Sequence, residues 1–375
     1  MFYAQNESGE LQALFSKNKE ELEQCRTSAY FCPICEEKVH IRFGPKVTPH
    51  FAHASNSLCA GMESEQHEKG KWYLYNWLRS QGYQAELEHF IPIVNQRPDV
   101  FLEVQHRKIA IEFQCARISE RDIVKRTLTY QQKGITPFWV IGSNHLKRKG
   151  NTLAVNSFLK SFLYYFHGQY LLYFLNVHNR NLHIAHDLRS VTDQKWLSTV
   201  ATKPLDHFSL PQLFSKKNTP FRYVENPFWE KLLYSLRTRY QQWVGSEEAQ
   251  FRQYLYLNNL HFSLIPSIAY LPLSGQITLK TKPFIWQTRF LMKYFLYVPV
   301  GGHVQPSPLE GQRTVNGHHP DLSLEYLCML EELGYVKQSG DEWIKTKDVT
   351  FYKTVEDALR GDKKLIQTLK NLHRI

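Results

Sequence analysis

Two carboxylates on either side of a predicted hairpin are the strongest chemical signal in the sequence. Asp99 precedes a mostly apolar run at 100–104, and Glu112 lies near the end of a second run at 109–113, with a polar bend at 105–108 between them. Folding back at that bend brings Asp99 and Glu112 to the same end of adjacent strands. Mg²⁺ typically takes one or two carboxylates and completes its shell with waters and phosphate oxygens. The pattern predicts a magnesium site beside a phosphodiester.

The flanking sequence predicts the elements that position these acids. In chain order they are a helix capped by Ser64, a strand at 85–91, the hairpin, a helix opened by Ser119 and a buried strand at 137–142. Side chains alternate along a strand, so Glu112 and Gln114 share one face of the second hairpin strand. The predicted order is therefore helix, three strands, helix, strand.

A second signal is a group of metal-ligand residues near the N-terminus. Cys32-x-x-Cys35 and His50-x-x-His53 offer two thiolates and two imidazoles in a segment too short to bury its own apolar core. Zinc binding supplies folding energy to such segments, and four protein ligands leave no open position for catalysis. A structural zinc is predicted, with a metal-free cysteine pair as the alternative. Other residues near enough in sequence to compete as ligands are Cys25, His40 and Cys59.

Several motifs carry a resemblance to known proteins. They are the Cys and His pairs above, Glu63-Ser64-x-x-His67-x-x-x-Lys71, Pro98-Asp99, Glu112-x-Gln114, and Arg126-Thr127 with Tyr130. With the element order, they resemble the PD-(D/E)xK nuclease superfamily, and the wider pattern resembles the CoiA family of bacterial competence proteins over roughly residues 25–142. The resemblance implies a mixed α/β fold with a restriction-endonuclease-like αβββαβ core, preceded by a small zinc-binding module and followed by a mainly helical region.

The resemblance also implies roles for the residues of the hairpin. Asp99, Glu112 and the main-chain carbonyl of Phe113 would hold Mg²⁺ or Mn²⁺. The lysine usual in the superfamily is replaced by Gln114, which orients water by hydrogen bonds but carries no charge. CoiA-like proteins share this glutamine. Glu88 is expected to be a solvent-facing strand carboxylate.

Two helices supply further candidates at i, i+4 spacing, which places side chains on one helix face. On the first helix, Glu63 would add a ligand, His67 would relay a proton and Lys71 would replace the missing cation. On the second helix, Arg126 would clamp phosphate and Tyr130 would stack on a base. For each of these residues the alternative is an ordinary helix surface.

Composition favours a globular protein with a polyanionic partner. The 375 residues carry a formal charge of +11 with a pI near 9.2, and 42% of them are hydrophobic, which is too high a share for a disordered chain. There is no run of 18 or more apolar residues, and the first twenty residues lack the apolar segment of a signal peptide. We therefore expect no membrane span and a cytoplasmic location.

The sequence predicts four regions. A helix at 320–334 followed by a hairpin turning at Ser339-Gly340 suggests a winged-helix module near the C-terminus. The predicted regions are a zinc-finger-like module at 1–61, a nuclease-like domain at 62–150, added antiparallel strands and a linker at 151–226, and a mainly helical domain at 227–375.

Two classes of function follow from these features. The first is a Mg²⁺-dependent DNA nuclease that processes DNA during natural transformation and homologous recombination. The second is a non-cleaving DNA-binding recombination mediator on a nuclease scaffold. Asp99 and Glu112 favour cleavage, because a pure binder gains nothing by holding two acids against a polyanion; Gln114 keeps the second class open. The expected partners are DNA, single-stranded or as recombination intermediates, and a recombinase or other competence proteins.

Overall fold

The fold is taken from a computed structural model that describes residues 1, 3–14, 17–33, 35–44, 47–54, 64–192, 194–216, 227–239 and 243–372. The chain divides into two units. The first unit comprises Met1–Leu146, Leu172–Ile184 and Ala201–Ser215. The second unit comprises Lys147–Leu171, Ala185–Val200 and Lys216–Ile375. The predicted metal ligands that the structure describes lie in the first unit.

The first unit begins with a five-stranded antiparallel sheet and one short helix. The elements are β1 (Tyr3–Asn6), β2 (Leu11–Ala13), α1 (Lys19–Cys25), β3 (Tyr30–Phe31), β4 (Lys38–Gly44) and β5 (Val47–Ala52). The strand order is β2-β1-β3-β4-β5. Its buried core is small and consists of Ala4, Leu14, Leu22, Tyr30, Cys32, Val39 and Phe51. So small a core is consistent with a segment that needs a further source of stability.

The next part of the first unit follows the predicted order of helix, three strands, helix, strand. The elements are α2 (Glu65–Ser80), β6 (Ala85–Leu87), β7 (Val100–Val104), β8 (Arg107–Gln114), α3 (Glu120–Gln132) and β9 (Ile135–Gly142). β6, β7 and β8 are antiparallel neighbours, whereas β9 runs parallel to β8. The two helices begin where predicted, because Ser64 and Ser119 accept hydrogen bonds from His67 N and Asp122 N.

The β7–β8 hairpin sets the relative positions of the acids. Its turn residues, Gln105 and His106, both have positive φ angles, 47° and 66°, as expected for the tight turn that matches strand twist. Val100 pairs with Ile111, so the next position outward places Asp99 opposite Glu112. The hairpin expected from the sequence is present.

The strand predicted at 85–91 is shorter than expected. β6 ends at Leu87, because Glu88 adopts a left-handed conformation with φ of 50° and turns the chain out of the sheet. The chain then forms an exposed loop that contains a single 3₁₀ turn at Pro92–Val94. Ile91 and Val94 point back into the core, so the loop is anchored at its middle.

Helix α2 packs closely against β8 through Gly70. A Cβ atom placed on Gly70 would lie 1.9 Å from Cε1 and 2.2 Å from Cδ1 of the Phe113 ring. Such distances are far below van der Waals contact, so the helix backbone and the ring occupy adjoining space that only glycine allows.

Several strands follow β9. The elements are β10 (Arg148–Lys149), β11 (Thr152–Ala154), α4 (Ser157–Lys160), β12 (Tyr164–Phe166), β13 (Gln169–Asn176), β14 (Asn181–Thr192), β15 (Lys195–Pro204) and α5 (Leu210–Leu213). β13 and β14 are neighbouring strands in the region where added strands were predicted, and β13 pairs in parallel with β9 at Phe174 and Leu175. The residues of β13, β14 and β15 are divided between the two units.

The second unit is mainly helical. The elements are α6 (Pro227–Thr238), α7 (Ser246–Leu257), α8 (Pro283–Tyr294), β16 (His303–Val304), α9 (Leu322–Glu332), β17 (Val336–Ser339), β18 (Glu342–Lys345) and α10 (Val355–Leu372). α6 ends at Thr238, and residues 217–226, which precede it in the chain, lie outside the described residues. No described helix combines the length and apolar character needed to cross a membrane.

The predicted helix and hairpin near the C-terminus are present as α9, β17 and β18, with β16 completing a three-stranded sheet. The acids of α9 serve the fold. Asp321 caps the helix, Glu325 accepts from the N–H groups of Ser274 and Gly275, and Glu331 accepts from Gln338 N. These contacts give the three acidic residues roles within the second unit.

Candidate active site

Asp99 stands at the start of β7 with both carboxylate oxygens engaged. Oδ2 accepts a hydrogen bond from the N–H of Phe113 over 2.7 Å, and Oδ1 lies 3.2 Å from Nε2 of His67. Burial alone would raise the pKa of Asp99, but the hydrogen bond from His67, the charge of Lys71 and the Phe113 N–H outweigh it and lower that pKa. Asp99 is therefore held as a carboxylate.

Glu112 faces it from β8 and is 1% exposed. Its Oε1 accepts from the Tyr130 hydroxyl over 2.6 Å and lies 2.9 Å from Nη2 of Arg126. Burial and then the negative charge of Asp99 raise the pKa of Glu112, although Arg126 and Tyr130 act in the opposite direction. The two acids thus repel each other, and a cation between them would relieve that repulsion.

The donor set suits a hard divalent cation. The carboxylates of Asp99 and Glu112, with the main-chain carbonyl of the next residue, Phe113, are oxygen donors of the kind that Mg²⁺ and Mn²⁺ accept. The second oxygen of Glu112, Oε2, makes no hydrogen bond to a described residue. Within the described ranges no third histidine, cysteine or acid joins these two in a ligand cluster. A metal here would therefore complete its shell with water and substrate oxygens, as Mg²⁺ commonly does.

Gln114 occupies the position of the usual lysine and lies on the same face of β8 as Glu112. It is buried, and its Nε2 donates to the carbonyl of Ala116 over 2.6 Å. The amide is thus tied to the backbone just beyond the strand. It carries no charge that could balance the two acids.

Helix α2 contributes His67 to the site but not a free lysine. Lys71 has no exposed surface, and its ammonium group bonds Glu68 over 3.2 Å and also bonds Glu88. Burial alone would lower the pKa of Lys71, but Tyr3 and the surrounding acids raise it, so the lysine stays charged. Lys71 was expected to supply the missing cation at the nucleophile; its ammonium group lies inside the protein between two carboxylates, and that role stays a prediction. Glu63 lies outside the described residues.

The predicted nucleic-acid residues on α3 instead contact Glu112. Tyr130 is fully buried, so the structure does not support stacking of this ring on a base. The reason is that Ile123, Thr127 and Tyr130 form the helix face that packs inward. Arg126 is about a third exposed, with its guanidinium held between Glu112 and the Trp139 ring, whose centroid is 5.8 Å away. The positive charge of Arg126 therefore lies against Glu112.

Glu68 and Glu88 are site neighbours that sequence reasoning missed. Glu68 was not singled out, and Glu88 was expected to face solvent, yet both side chains are at most 10% exposed and hold Lys71. The i, i+3 spacing of Glu68 and Lys71 is a signal that was available. The position of Glu88 depends on its positive φ angle, which the sequence does not announce.

A second candidate metal centre lies in the N-terminal sheet. One ligand atom from each of Cys32, Cys35 and His53 lies within 4.8 Å of the others, and Cys35 Sγ is 3.3 Å from His53 Nε2. Ligand atoms around a tetrahedral zinc are separated by about 3.5–3.8 Å, so the spacing suits that ion. His50 is not part of the cluster: it lies within β5, whereas His53 follows the end of that strand at Ala52. Cys59 lies outside the described residues.

Comparison with known proteins identifies similar sequences along most of the chain. Three family models match, described as the N-terminal domain of competence protein CoiA at residues 14–62, its nuclease-like domain at 63–218 and its C-terminal domain at 216–307. The chain is 29% identical over 321 residues to "Competence protein CoiA" of Bacillus subtilis strain 168. The aligned region covers 83% of this chain and 84% of that protein. No solved structure matches significantly.

Proposed function

Because this chain belongs to the CoiA family of competence proteins, we propose that its nuclease-like domain hydrolyses phosphodiester bonds in DNA with Mg²⁺ or Mn²⁺. The observation that carries the proposal is the placement of Asp99 opposite Glu112, two buried acids; burial and then the charge of Asp99 raise the pKa of Glu112. Burying two like charges side by side is costly, and a protein gains from it when a cation is to be bound. The αβββαβ order of elements supports a restriction-endonuclease-like core.

Asp99, Glu112 and the carbonyl of Phe113 would hold the metal. The chemistry that bound Mg²⁺ supplies is a lowered pKa for a coordinated water and neutralisation of charge on the phosphoryl oxygens. Tyr130 and Arg126 fix the direction of the Glu112 carboxylate through its Oε1. His67 bonds Asp99 and is about one-sixth exposed, so it is placed to exchange a proton between the site and solvent. Lys71 adds positive potential from within the protein, where it helps to keep Asp99 ionised.

The N-terminal module would bind one zinc through Cys32, Cys35 and His53, with a fourth ligand outside this cluster. The metal would stabilise a sheet whose own core is small. A basic chain with this composition would bind DNA chiefly through phosphate contacts. During natural transformation and recombination the substrate would be incoming single strands or recombination intermediates, and a recombinase or another competence protein would be a partner.

A cleavage assay tests the proposal. Single-stranded, duplex and branched DNA are incubated with the protein in EDTA, Mg²⁺ or Mn²⁺, beside an Asp99→Asn variant. Asparagine keeps an acceptor for the Phe113 N–H and removes the charge, so misfolding is avoided. We expect metal-dependent products with the wild type alone. Absence of cleavage on every DNA form, or equal cleavage by the variant, contradicts the proposal.

A second function, a DNA-binding recombination mediator that cleaves nothing, is favoured by one specific observation. Gln114 stands where the superfamily has a lysine, and its uncharged amide donates to the carbonyl of Ala116. If DNA binding is retained and no metal condition yields cleavage, this second function is the one the site performs.

A further inference from the structure

The 88–97 loop between β6 and β7 exposes two large apolar side chains beside the candidate site. Phe90 is 44% exposed and Ile93 is 67% exposed, whereas Ile91 and Val94 between them are buried. These two groups, three residues apart on one loop, give it a small exposed apolar surface. Folding does not require them, since the loop is already anchored by its buried pair.

A cation accompanies the exposed ring. The guanidinium of Arg97 lies 5.7 Å from the centroid of Phe90, and its Nη1 donates to the carbonyl of Glu88 over 3.0 Å. No described carboxylate forms an ion pair with Arg97. An aromatic face next to an uncompensated arginine is the combination that binds unpaired nucleotides, with the ring stacking on a base and the cation facing phosphate.

The loop is tied directly to both acids. Glu88 N donates to the carbonyl of Asp99 over 3.1 Å, and the carbonyl of Arg97 lies 3.4 Å from Nη2 of Arg126, which itself pairs with Glu112. Facing residues on paired strands lie about 5 Å apart, and two further residues add at most about 7 Å, so Phe90 stands within about 12 Å of Asp99. That distance is short enough for one DNA strand to reach both the loop and the acids.

We propose that the 88–97 loop holds unpaired bases of the DNA strand whose phosphodiester lies at Asp99 and Glu112. Bases in a duplex are stacked on one another and offer no free face to a protein ring, so Phe90 and Ile93 select single-stranded or frayed DNA. The loop presents these groups with little ordering cost, since its left-handed residues Glu88 and Asn95 and its buried anchors fix its shape. This inference rests on the proposed function for the position of the phosphodiester and adds the residues that would select an unpaired strand.

The test measures binding without cleavage. A single strand that carries the fluorescent base 2-aminopurine and the duplex of the same sequence are titrated with protein in EDTA. Phe90→Ala is expected to weaken single-strand binding about tenfold and to reduce quenching of the fluorescent base, with less than about a twofold change for the duplex. Phe90→Trp should restore both properties. Val124→Ser, which removes a 41% exposed apolar group from the outer face of α3, is the matched control and should leave binding unchanged.

The outcomes separate this inference from the proposed function. Unchanged single-strand affinity in Phe90→Ala, or an equal loss for single strand and duplex, overturns it even if metal-dependent cleavage is observed. A selective loss that Phe90→Trp restores supports it even if no cleavage is found. An equal loss with Val124→Ser would indicate general surface adhesion and would also overturn it. Unchanged thermal unfolding of all three variants excludes misfolding as the cause.

Discussion

The Tyr130 hydroxyl on α3 donates to Oε1 of Glu112 on β8 over 2.6 Å, and both side chains are almost completely buried. Arg126, one helical turn earlier, lies 2.9 Å from the same oxygen. Both helix residues therefore hold one oxygen and leave the other, Oε2, for a further ligand. We infer that they are positioning residues for Glu112.

Tyr130→Phe should shift the pH dependence of cleavage. The hydroxyl lowers the pKa of Glu112, so its removal raises that pKa, and the ionised form that a metal needs is reached only at higher pH. A hydrogen bond to a charged group contributes about 1.5–3 kcal/mol, so we expect a rate at least about tenfold lower at neutral pH, partly recovered at higher pH or higher Mg²⁺. Rates measured across pH and Mg²⁺ concentration check this.

The matched control for that experiment is Tyr173→Phe. Tyr173 is also buried and donates to the carbonyl of Leu213 over 2.8 Å. This variant should lose similar stability and keep the wild-type pH profile. Identical profiles for all three proteins would show that the Tyr130 contact serves only packing.

Replacing the acids should separate cleavage from binding. Asp99→Ala or Glu112→Ala should reduce cleavage by at least about 100-fold while DNA affinity stays the same or rises slightly, because a negative charge facing phosphate has been removed. Gln114→Ala should lower the rate more mildly, and Gln114→Lys should retain or raise it by adding a cation at the nucleophile. Parallel cleavage and binding titrations measure both effects. A parallel loss of binding and cleavage would assign the acids to DNA contact or to folding.

Lys71→Met should destabilise the first unit strongly. Removal of the ammonium leaves Glu68 and Glu88 facing each other in a buried site, and breaking such a network costs about 3–5 kcal/mol. Lys69→Met removes the surface pair with Glu65 and should cost less than about 1 kcal/mol. Denaturant unfolding compares the two variants. If both losses are equally small, the lysine network is not a structural feature of the folded protein.

The candidate zinc centre predicts which substitutions remove the metal and which do not. We expect about one zinc per chain, since the ligands are few and clustered. Cys32→Ser and His53→Ala should lose the metal and the protease resistance of the N-terminal sheet, whereas His50→Ala should keep both because His50 lies outside the cluster. Elemental analysis with limited proteolysis measures this. A well-folded, metal-free preparation would refute the site.

DNA binding should weaken steeply as salt rises, with little dependence on sequence, because phosphate contacts release counterions. The formal charge of +11 makes this contribution large. Affinities measured between low and moderate salt for several unrelated sequences test the expectation. Affinity that stays constant over that range would point to a different partner.

The sequence predicted those elements whose signals are local. Two apolar runs around a polar bend indicated the hairpin, and Ser64 and Ser119 marked the helix starts, because a capping hydroxyl acts only on the next turn. The opposition of Asp99 and Glu112 followed from the hairpin alone. Glu88 was an exception. Its left-handed backbone conformation cannot be predicted from the hydrophobic pattern, and it ends β6 earlier than expected.

Directions of side chains were harder to predict because they depend on tertiary packing. Arg126 and Tyr130 have the same spacing whether their helix face is exposed or buried, so only the packed structure shows that both contact Glu112. His50-x-x-His53 suggested a ligand pair, yet only His53, which follows the end of β5, lies with the two cysteines. The partners of Lys71 come from α2 itself and from the end of β6, a combination that no local signal reveals.

The contact between Gly70 and the Phe113 ring means that helix α2 helps to set the positions of Asp99 and Glu112. Phe113 supplies the N–H that fixes Asp99 and follows directly after Glu112, so any movement of its ring is passed to both acids through the backbone. A single methyl group at position 70 would act as a spacer between α2 and the sheet. It would move the proposed metal ligands without altering one charged group, so a related chain carrying it would keep every motif and lose the proposed activity.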